Sequence, residues 1–151
     1  MKRWTSIAEA LDFAIGEEEK AAAFYESLAE RVTGSGMKAT LLAFAGEEKL
    51  HKARLLRVKA GAASLSATTP VADLKISDYL VDAQPAADMD YQHALMVAMA
   101  KEKAAFRLYH DLAGQTQDDE LRQTFLGLAQ EEAKHKLRFE LEYDQEILRE
   151  N

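Results

Sequence analysis

The chain has 151 residues, of which 48% are apolar and 30% are charged, and only two are proline, so we expect one folded, helix-rich domain over residues 1–151. It has no cysteine, which excludes disulfides, thiol catalysis and Cys-ligated metal centres within this chain. The net charge of -7 without a basic stripe argues against nucleic-acid binding, and the lack of a long apolar run or signal-peptide pattern predicts a cytoplasmic protein with no membrane partner.

The first predicted hairpin begins near the N-terminus. Apolar residues recur at helical spacing from Thr5 to Val32, where Ser6 and Glu9 fit a capping box. The glycines of the segment 33–36 predict a left-handed helix stop, after which the helical pattern resumes from Met37 to about Lys59. Because the connection is so short, we expect two antiparallel neighbouring helices.

A long polar link follows this hairpin. Residues 61–87 are rich in Ala, Ser and Thr and contain both prolines, so the segment is predicted to be a crossover. Its one apolar patch, at Ile76, Tyr79 and Leu80, has room for a turn or two of helix.

The second predicted hairpin occupies the rest of the chain. A helix is expected from about Asp88 until Gly114 ends it, and Thr116 followed by Asp119 predicts the cap of a last helix that reaches about Ile147. The fold class is therefore predicted to be all-α, a four-helix bundle made of two antiparallel helix hairpins, 5–60 and 88–148, joined by the crossover.

The two predicted hairpins are related by an internal repeat. When residues 15–55 are aligned without gaps on residues 99–139, 13 of 41 positions are identical. Helical sequences of similar composition share some identities by chance, but not one unbroken register through two helices and a turn. The second hairpin therefore looks like a copy of the first.

Each hairpin carries one Glu-x-x-His motif, Glu48 to His51 and Glu132 to His135. A spacing of three residues places both side chains on one helix face about one turn apart, where they can bind the same metal ion. A single such motif would more readily be interpreted as a solvated pair on an exposed face. Two copies in the same repeat register favour a metal site.

Two further carboxylates are expected at the height of these motifs. Residues equally far from the turn of an antiparallel hairpin lie side by side. The midpoint of Glu18 and Glu48 is position 33, inside the first predicted turn. The midpoint of Glu102 and Glu132 is position 117, inside the second. Both Glu18 and Glu102 interrupt apolar helix stripes, so we expect them to be buried. Buried carboxylates need cations to balance their charge, which predicts two metal ions per chain.

The predicted ligand set contains four carboxylates and two imidazoles: Glu18, Glu48, His51, Glu102, Glu132 and His135. Such donors suit iron, with manganese as the alternative, and six protein groups around two ions leave positions open for oxygen or peroxide. Di-iron and di-manganese carboxylate bundles use this combination of two single glutamates and two Glu-x-x-His motifs. Zinc is expected to substitute in vitro, because it binds such ligands more tightly than Fe(II) or Mn(II).

Other candidate ligands lie close to the two motifs. Glu47 and Glu131 come four residues before the histidines and could serve in place of the motif glutamates, although the three-residue spacing is preferred. His93 and His110 have no glutamate three residues earlier and are expected at the surface or at helix ends.

Two tyrosines occupy matching positions in the repeat. Tyr25 and Tyr109 come two turns after Glu18 and Glu102. Each is expected either to hydrogen-bond a ligand carboxylate from outside the metal shell or to pack in the core with its hydroxyl satisfied. The sequence leaves these two alternatives open.

The motifs resemble the rubrerythrin-like branch of the ferritin-like superfamily. The resemblance covers both hairpins without the crossover and rests on the segments 18–25, 48–51, 102–109 and 132–135. It implies a ferritin-like bundle with a di-iron centre that reduces hydrogen peroxide or oxygen, an external electron-donor protein and a homodimer. Some relatives oxidise ferrous iron, so a ferroxidase or iron-handling protein is the second interpretation, and a non-catalytic metal-binding or assembly module is the third.

The sequence departs from this family in two ways. Typical rubrerythrins carry a Cys-ligated rubredoxin domain that delivers electrons, whereas this chain has no cysteine. They also have an additional carboxylate about one turn after the ligand of the third helix, where this sequence has Ala105. The predicted site therefore resembles a simpler version with four glutamates and two histidines.

Overall fold

A computed structural model describes residues 6–61, Tyr79 and residues 89–150. These residues form four α-helices: α1 (Ile7–Arg31), α2 (Ser35–Gly61), α3 (Tyr91–Gln115) and α4 (Asp119–Glu150). The described residues contain no β-strand, which confirms the all-α class. The chain divides into two compact units, one with α1 and α2 and the other with α3 and α4, and each unit is a helical hairpin. The single domain stays a prediction.

The first hairpin begins at the predicted cap. The hydroxyl of Ser6 accepts a hydrogen bond from the backbone N–H of Glu9 at 3.4 Å. The predicted left-handed stop is wrong, because Gly34 has no left-handed backbone angle and an extended Val32 turns the chain instead. Consequently α2 begins at Ser35, two residues before its predicted start.

Three ion pairs link α1 to α2 along the surface of the first hairpin. They are Lys49–Glu26 (2.8 Å), Lys52–Glu19 (2.8 Å) and Lys59–Asp12 (2.5 Å). Their acidic members are spaced seven residues apart on α1, so they lie along one helix face. Lys52 lowers the pKa of Glu19 by hydrogen bonding and by its charge. Because exposed pairs contribute little to stability, apolar burial remains the main source of stability in this hairpin.

The bounds of α3 differ from those predicted. Its N-cap is Asp90, whose carboxylate accepts from the backbone N–H of His93 at 2.7 Å, so the helix begins after the expected start at Asp88. Gly114 does not end the helix. The helix continues to Gln115, where an extended Thr116 forms the C-cap, since an extended residue is enough to leave the helix.

The cap of α4 also differs from the prediction. Oδ1 of Asp118 accepts from the backbone N–H groups of Glu120 at 2.9 Å and Leu121 at 3.2 Å. The hydroxyl of Thr116 instead accepts from the N–H of Asp118 at 3.2 Å. The predicted cap at Thr116 and Asp119 is therefore wrong, because the carboxylate directly before the helix satisfies its first free donors. The helix extends to Glu150.

We expect Asp118→Ala to lower the free energy of unfolding by about 1 kcal/mol, because it leaves two backbone N–H groups without their acceptor. Asp119→Ala is the matched control, since it removes only an exposed ion pair with Arg122. Urea denaturation followed by circular dichroism measures both variants. Equal losses in the two variants would contradict the assignment of Asp118 as the cap.

Buried side chains follow the helical period on α1 and α3. On α1 they include Leu11, Ala14, Glu18, Ala21, Tyr25 and Leu28, and on α3 they include Leu95, Ala98, Glu102, Tyr109 and Leu112. Tyr79, from the predicted crossover, is buried, and its hydroxyl donates to Oδ2 of Asp111 on α3 at 2.6 Å. The helical patch predicted at Ile76 and Leu80 lies outside the described residues. No helix in the described parts of the chain is long and apolar enough to cross a membrane.

A glycine in the interior of α4 offers a second stability test. A Cβ atom added to Gly127 would meet nothing within 4 Å, so no packing argument requires glycine there. We expect Gly127→Ala to raise the free energy of unfolding by up to about 1 kcal/mol, because alanine loses less backbone entropy in a helix. Gln130→Ala, at another exposed position of α4, is the control and should change little. Thermal and urea unfolding would both show the difference.

Candidate metal centre

The first hairpin brings three predicted ligands together. Glu18 of α1 and Glu48 and His51 of α2 are 3%, 1% and 1% exposed. Nδ1 of His51 lies 3.5 Å from Oε2 of Glu18 and 3.3 Å from Oε1 of Glu48. Taken one from each residue, the ligand atoms all lie within 4.8 Å of one another. We call these three residues the first cluster.

The second hairpin repeats this arrangement. Glu102 of α3 and Glu132 and His135 of α4 are 1%, 1% and 2% exposed. Nδ1 of His135 lies 3.5 Å from Oε1 of Glu102, and the ligand atoms of the three residues also lie within 4.8 Å of one another. We call these residues the second cluster.

The register of the hairpins explains why these residues meet. The connections span residues 32–34 and 116–118, so the predicted midpoints at 33 and 117 lie at their centres. Residues equally far from such a turn are level, which brings the single glutamate of one helix beside the Glu-x-x-His motif of the next. The glutamates that interrupt the apolar stripes are buried, as expected.

Each cluster fits a first-row divalent metal ion. Such ions bind carboxylate oxygen and imidazole nitrogen at about 2.0–2.2 Å, so two ligand atoms on one ion are about 3.0–3.5 Å apart. The separations between histidine nitrogen and carboxylate oxygen, 3.3–3.5 Å, agree with this range. An oxygen-rich set with one imidazole per cluster suits iron and manganese and accepts zinc.

The first cluster also has unusual electrostatics. Burial lowers the pKa of His51, but the neighbouring carboxylates of Glu18 and Glu48 outweigh it and raise the pKa to about 10. Without a metal ion, the two carboxylates thus favour the protonated imidazole. A metal ion would take the place of that proton, because a histidine ligand must be neutral.

The alternative ligands are placed differently. Glu47 and Glu131 are half-buried, in contrast to the fully buried glutamates of the motifs, and neither belongs to a metal-type cluster among the described residues. The geometry thus favours the three-residue spacing over the four-residue spacing. His93 and His110 are exposed, as expected.

Tyr25 and Tyr109 are both buried. The ring of Tyr109 stacks on Phe125 of α4 with centroids 6.5 Å apart, and the ring of Tyr25 lies 5.8 Å from that of Phe24. Core packing of both tyrosines is therefore observed, and hydrogen bonding to ligand carboxylates stays a prediction. Ala105, where related enzymes have an extra carboxylate, is half-buried and offers no donor atom.

One polar group in the second hairpin was not predicted from the sequence. Glu142 and Glu146 are buried on α4, and the hydroxyl of Tyr91 on α3 donates to Oε2 of Glu142 at 2.9 Å. Nη1 of Arg138 lies 3.7 Å from the other oxygen of Glu142. Burial and these two glutamates raise the pKa of Tyr91. Their spacing in the sequence could have revealed these glutamates, because Glu142 and Glu146 lie on the same buried face of α4 as His135.

Two solved structures resemble this protein. One similar structure, a ferritin-like diiron-carboxylate protein from Thermotoga maritima, is 22% identical, with a TM-score of 0.83 over 97% of this chain and 99% of that chain. A hypothetical protein from Pyrococcus furiosus is 24% identical, with a TM-score of 0.72 over 92% of this chain and 89% of that one. No curated protein sequence matches significantly. The structural likeness confirms the predicted ferritin-like four-helix class.

The sequence itself matches the Rubrerythrin family over residues 9–143, a span that includes both clusters. The match covers most of the chain, and its limits lie within α1 and α4. The protein therefore belongs to the Rubrerythrin family.

Proposed function

We propose that the two clusters bind a pair of metal ions, iron in the cell, and that the protein is a non-haem di-iron oxidoreductase that reduces hydrogen peroxide or oxygen. The observation that carries this proposal is the repeated, fully buried combination of one glutamate with a Glu-x-x-His motif. Family membership and the description of the Thermotoga protein as a diiron-carboxylate protein support it.

The protein's own part in this function is to hold and enclose the ions. Four carboxylates balance the four positive charges of two divalent ions. Burial of these glutamates therefore becomes favourable only when the ions are present. The ions, when bound, supply the redox chemistry. Burial of every ligand excludes bulk water, and the two imidazoles fix the positions of the ions. Because the chain has no cysteine, an external donor protein would have to deliver the electrons.

Metal content is the first test. Iron-loaded protein should contain two ions per chain, and elemental analysis with a protein assay would measure the ratio. Saturation at one ion or none would contradict a dinuclear centre. Zinc in a purified sample would not, because zinc displaces iron and manganese from such ligands.

The reaction can be identified with one anaerobic experiment. Protein loaded with Fe(II) is mixed separately with peroxide and with oxygen, and the rate and the iron stoichiometry are followed by absorbance. Rapid oxidation that is selective for peroxide supports a rubrerythrin-like peroxidase. Rapid oxygen consumption with continued iron uptake would instead support a ferroxidase. No reaction beyond that of free Fe(II) in buffer would leave a non-catalytic metal-binding or assembly module.

A further inference from the structure

A polar group lies in the second hairpin, at the end away from the turn between α3 and α4. The hydroxyl of Tyr91 donates a hydrogen bond to Oε2 of Glu142 at 2.9 Å, and Nη1 of Arg138 lies 3.7 Å from Oε1 of Glu142. Glu142 and Glu146 are only 7% and 8% exposed, whereas Tyr91 is half-buried and reaches the surface. We call these four residues the Tyr91 group.

The Tyr91 group has no equivalent in the first hairpin. The repeat places Ile7 at the position of Tyr91 and Val58 at the position of Glu142. Ile7 is fully buried, so apolar residues can fill this part of a hairpin without any polar contact. Because burying carboxylates costs free energy, a polar group that the fold does not require favours a chemical role.

The contact between Tyr91 and Glu142 suits the tyrosine for oxidation by one electron. A phenol that loses an electron becomes a strong acid, so it is oxidised readily only where a base accepts its proton. Oε2 of Glu142 is at hydrogen-bond distance for this transfer. Burial and the contact with Glu142 raise the pKa of Tyr91, so the phenol keeps its proton until it is oxidised. The negative charge of Glu146 acts on the same phenol and favours the loss of an electron.

The interval between the Tyr91 group and the second cluster suits electrons better than protons. Glu142 comes seven residues after His135 on α4, which is about 10.5 Å along the helix. Phe139 lies between them on α4, Leu95 of α3 is level with Phe139 by the register of the hairpin, and both are fully buried. Neither side chain has a group that can pass a proton. Electrons tunnel through closely packed protein over such an interval, so the Tyr91 group is within reach of the second cluster.

We propose that Tyr91 relays single electrons between the protein surface and the metal pair, with Glu142 as the acceptor of its proton. The inference rests on the proposed function, because peroxide provides the oxidising power through the metal pair. In the first step Tyr91 loses one electron to the oxidised pair, and its hydroxyl proton moves to Oε2 of Glu142. A neutral tyrosyl radical and a carboxylic acid result. In the second step a one-electron reductant at the surface reduces the radical, and the proton returns from Glu142 to Tyr91.

Electron paramagnetic resonance of freeze-quenched samples tests the relay. Iron-loaded protein is mixed anaerobically with peroxide in the absence of a reductant, and the parent should form a tyrosyl radical that Tyr91→Phe abolishes. Glu142→Gln keeps an oxygen that accepts the hydrogen bond but is a far weaker base, so the radical should form about tenfold more slowly or less. Tyr143→Phe is the matched control, because it changes a neighbouring half-buried tyrosine of α4 and should leave the signal unchanged.

A second measurement does not depend on iron chemistry. Protein loaded with redox-inert Zn(II) should form no radical with peroxide, and a photogenerated ruthenium(III) tris-bipyridine oxidant is then used to remove electrons from its side chains. Flash photolysis follows the tyrosyl absorbance, and the part that Tyr91→Phe removes belongs to Tyr91. This part should form about tenfold more slowly in Glu142→Gln, because the phenol lacks its base.

The outcomes separate this inference from the proposed function. Iron-loaded parent that consumes peroxide without a tyrosyl radical, or a radical that survives in Tyr91→Phe, would overturn the relay and leave the proposed function intact. Iron-loaded protein that does not react with peroxide would contradict the proposed function and the relay with it. Circular dichroism and elemental analysis verify that each variant is helical and holds as much metal as the parent, since neither Tyr91 nor Glu142 is an expected ligand.

Discussion

Replacing His51 or His135 by alanine is expected to leave a helical protein that binds about one ion tightly instead of two. Each histidine is the single imidazole of its cluster, with Nδ1 3.3–3.5 Å from a carboxylate oxygen. Loss of one neutral nitrogen donor leaves two carboxylates, which hold a transition metal far less well. We expect the affinity of the altered cluster to fall by more than about 100-fold, since even residues that merely orient ligands are worth 10–100-fold.

Metal titration followed by elemental analysis measures this loss, and circular dichroism checks the fold, which depends mainly on apolar packing. His110→Ala is the matched control, because it removes an exposed histidine of α3 that stacks on Phe106 and touches neither cluster. Retention of two tightly bound ions by both ligand variants would contradict the assignment. A variant of both histidines together should retain no tightly bound ion.

Metal binding is also expected to raise the melting temperature, by about 10 °C for each ion bound. At a free ion concentration about 1000 times the dissociation constant, one site adds about 4.1 kcal/mol to the free energy of unfolding. A chain of this length gains about 2–4 °C for each kcal/mol. Differential scanning calorimetry with Zn(II), and with Fe(II) under anaerobic conditions, measures the shift, and a chelator should reverse it.

Glu102→Leu should stabilise the metal-free protein. The metal-free variant is expected to be more stable than the metal-free parent, because the substitution removes one of two buried carboxylates, Glu102 and Glu132, whose oxygens lie within 4.8 Å of each other and are costly to bury without a cation. The same variant should gain little stability from added metal. A metal-free variant that is less stable than the parent would show that Glu102 stabilises the fold without an ion.

Much of the fold and of the candidate site could be predicted because the relevant signals are local or repeated. Helical periodicity fixes the four helices, and the repeat sets the register of both hairpins. The position of Glu18 level with Glu48 follows from the length of one short connection, so the proximity of these two residues could be predicted without knowledge of distant packing.

The turns were harder to predict because they depend on competition among neighbouring polar groups. Asp118 and Thr116 are both acceptable caps in sequence, and only the path of the chain decides which one reaches the free N–H groups.

The pairing of Tyr91 with Glu142 joins residues 51 positions apart. Its members have no repeat counterpart of similar chemistry, since Ile7 and Val58 occupy the matching places.

The ion pairs between α1 and α2 have a consequence for how a protein with two similar halves folds correctly. During folding, a helix from one hairpin could pair with the wrong partner from the other, because both halves share buried residues and register. In the first half, acidic residues of α1 and lysines of α2 lie at matching heights. If α3 took the place of α1 beside α2, Lys103 would lie opposite Lys52, where the correct helix supplies Glu19. These surface charges would therefore favour the correct pairing of helices, although they add little to the stability of the finished fold.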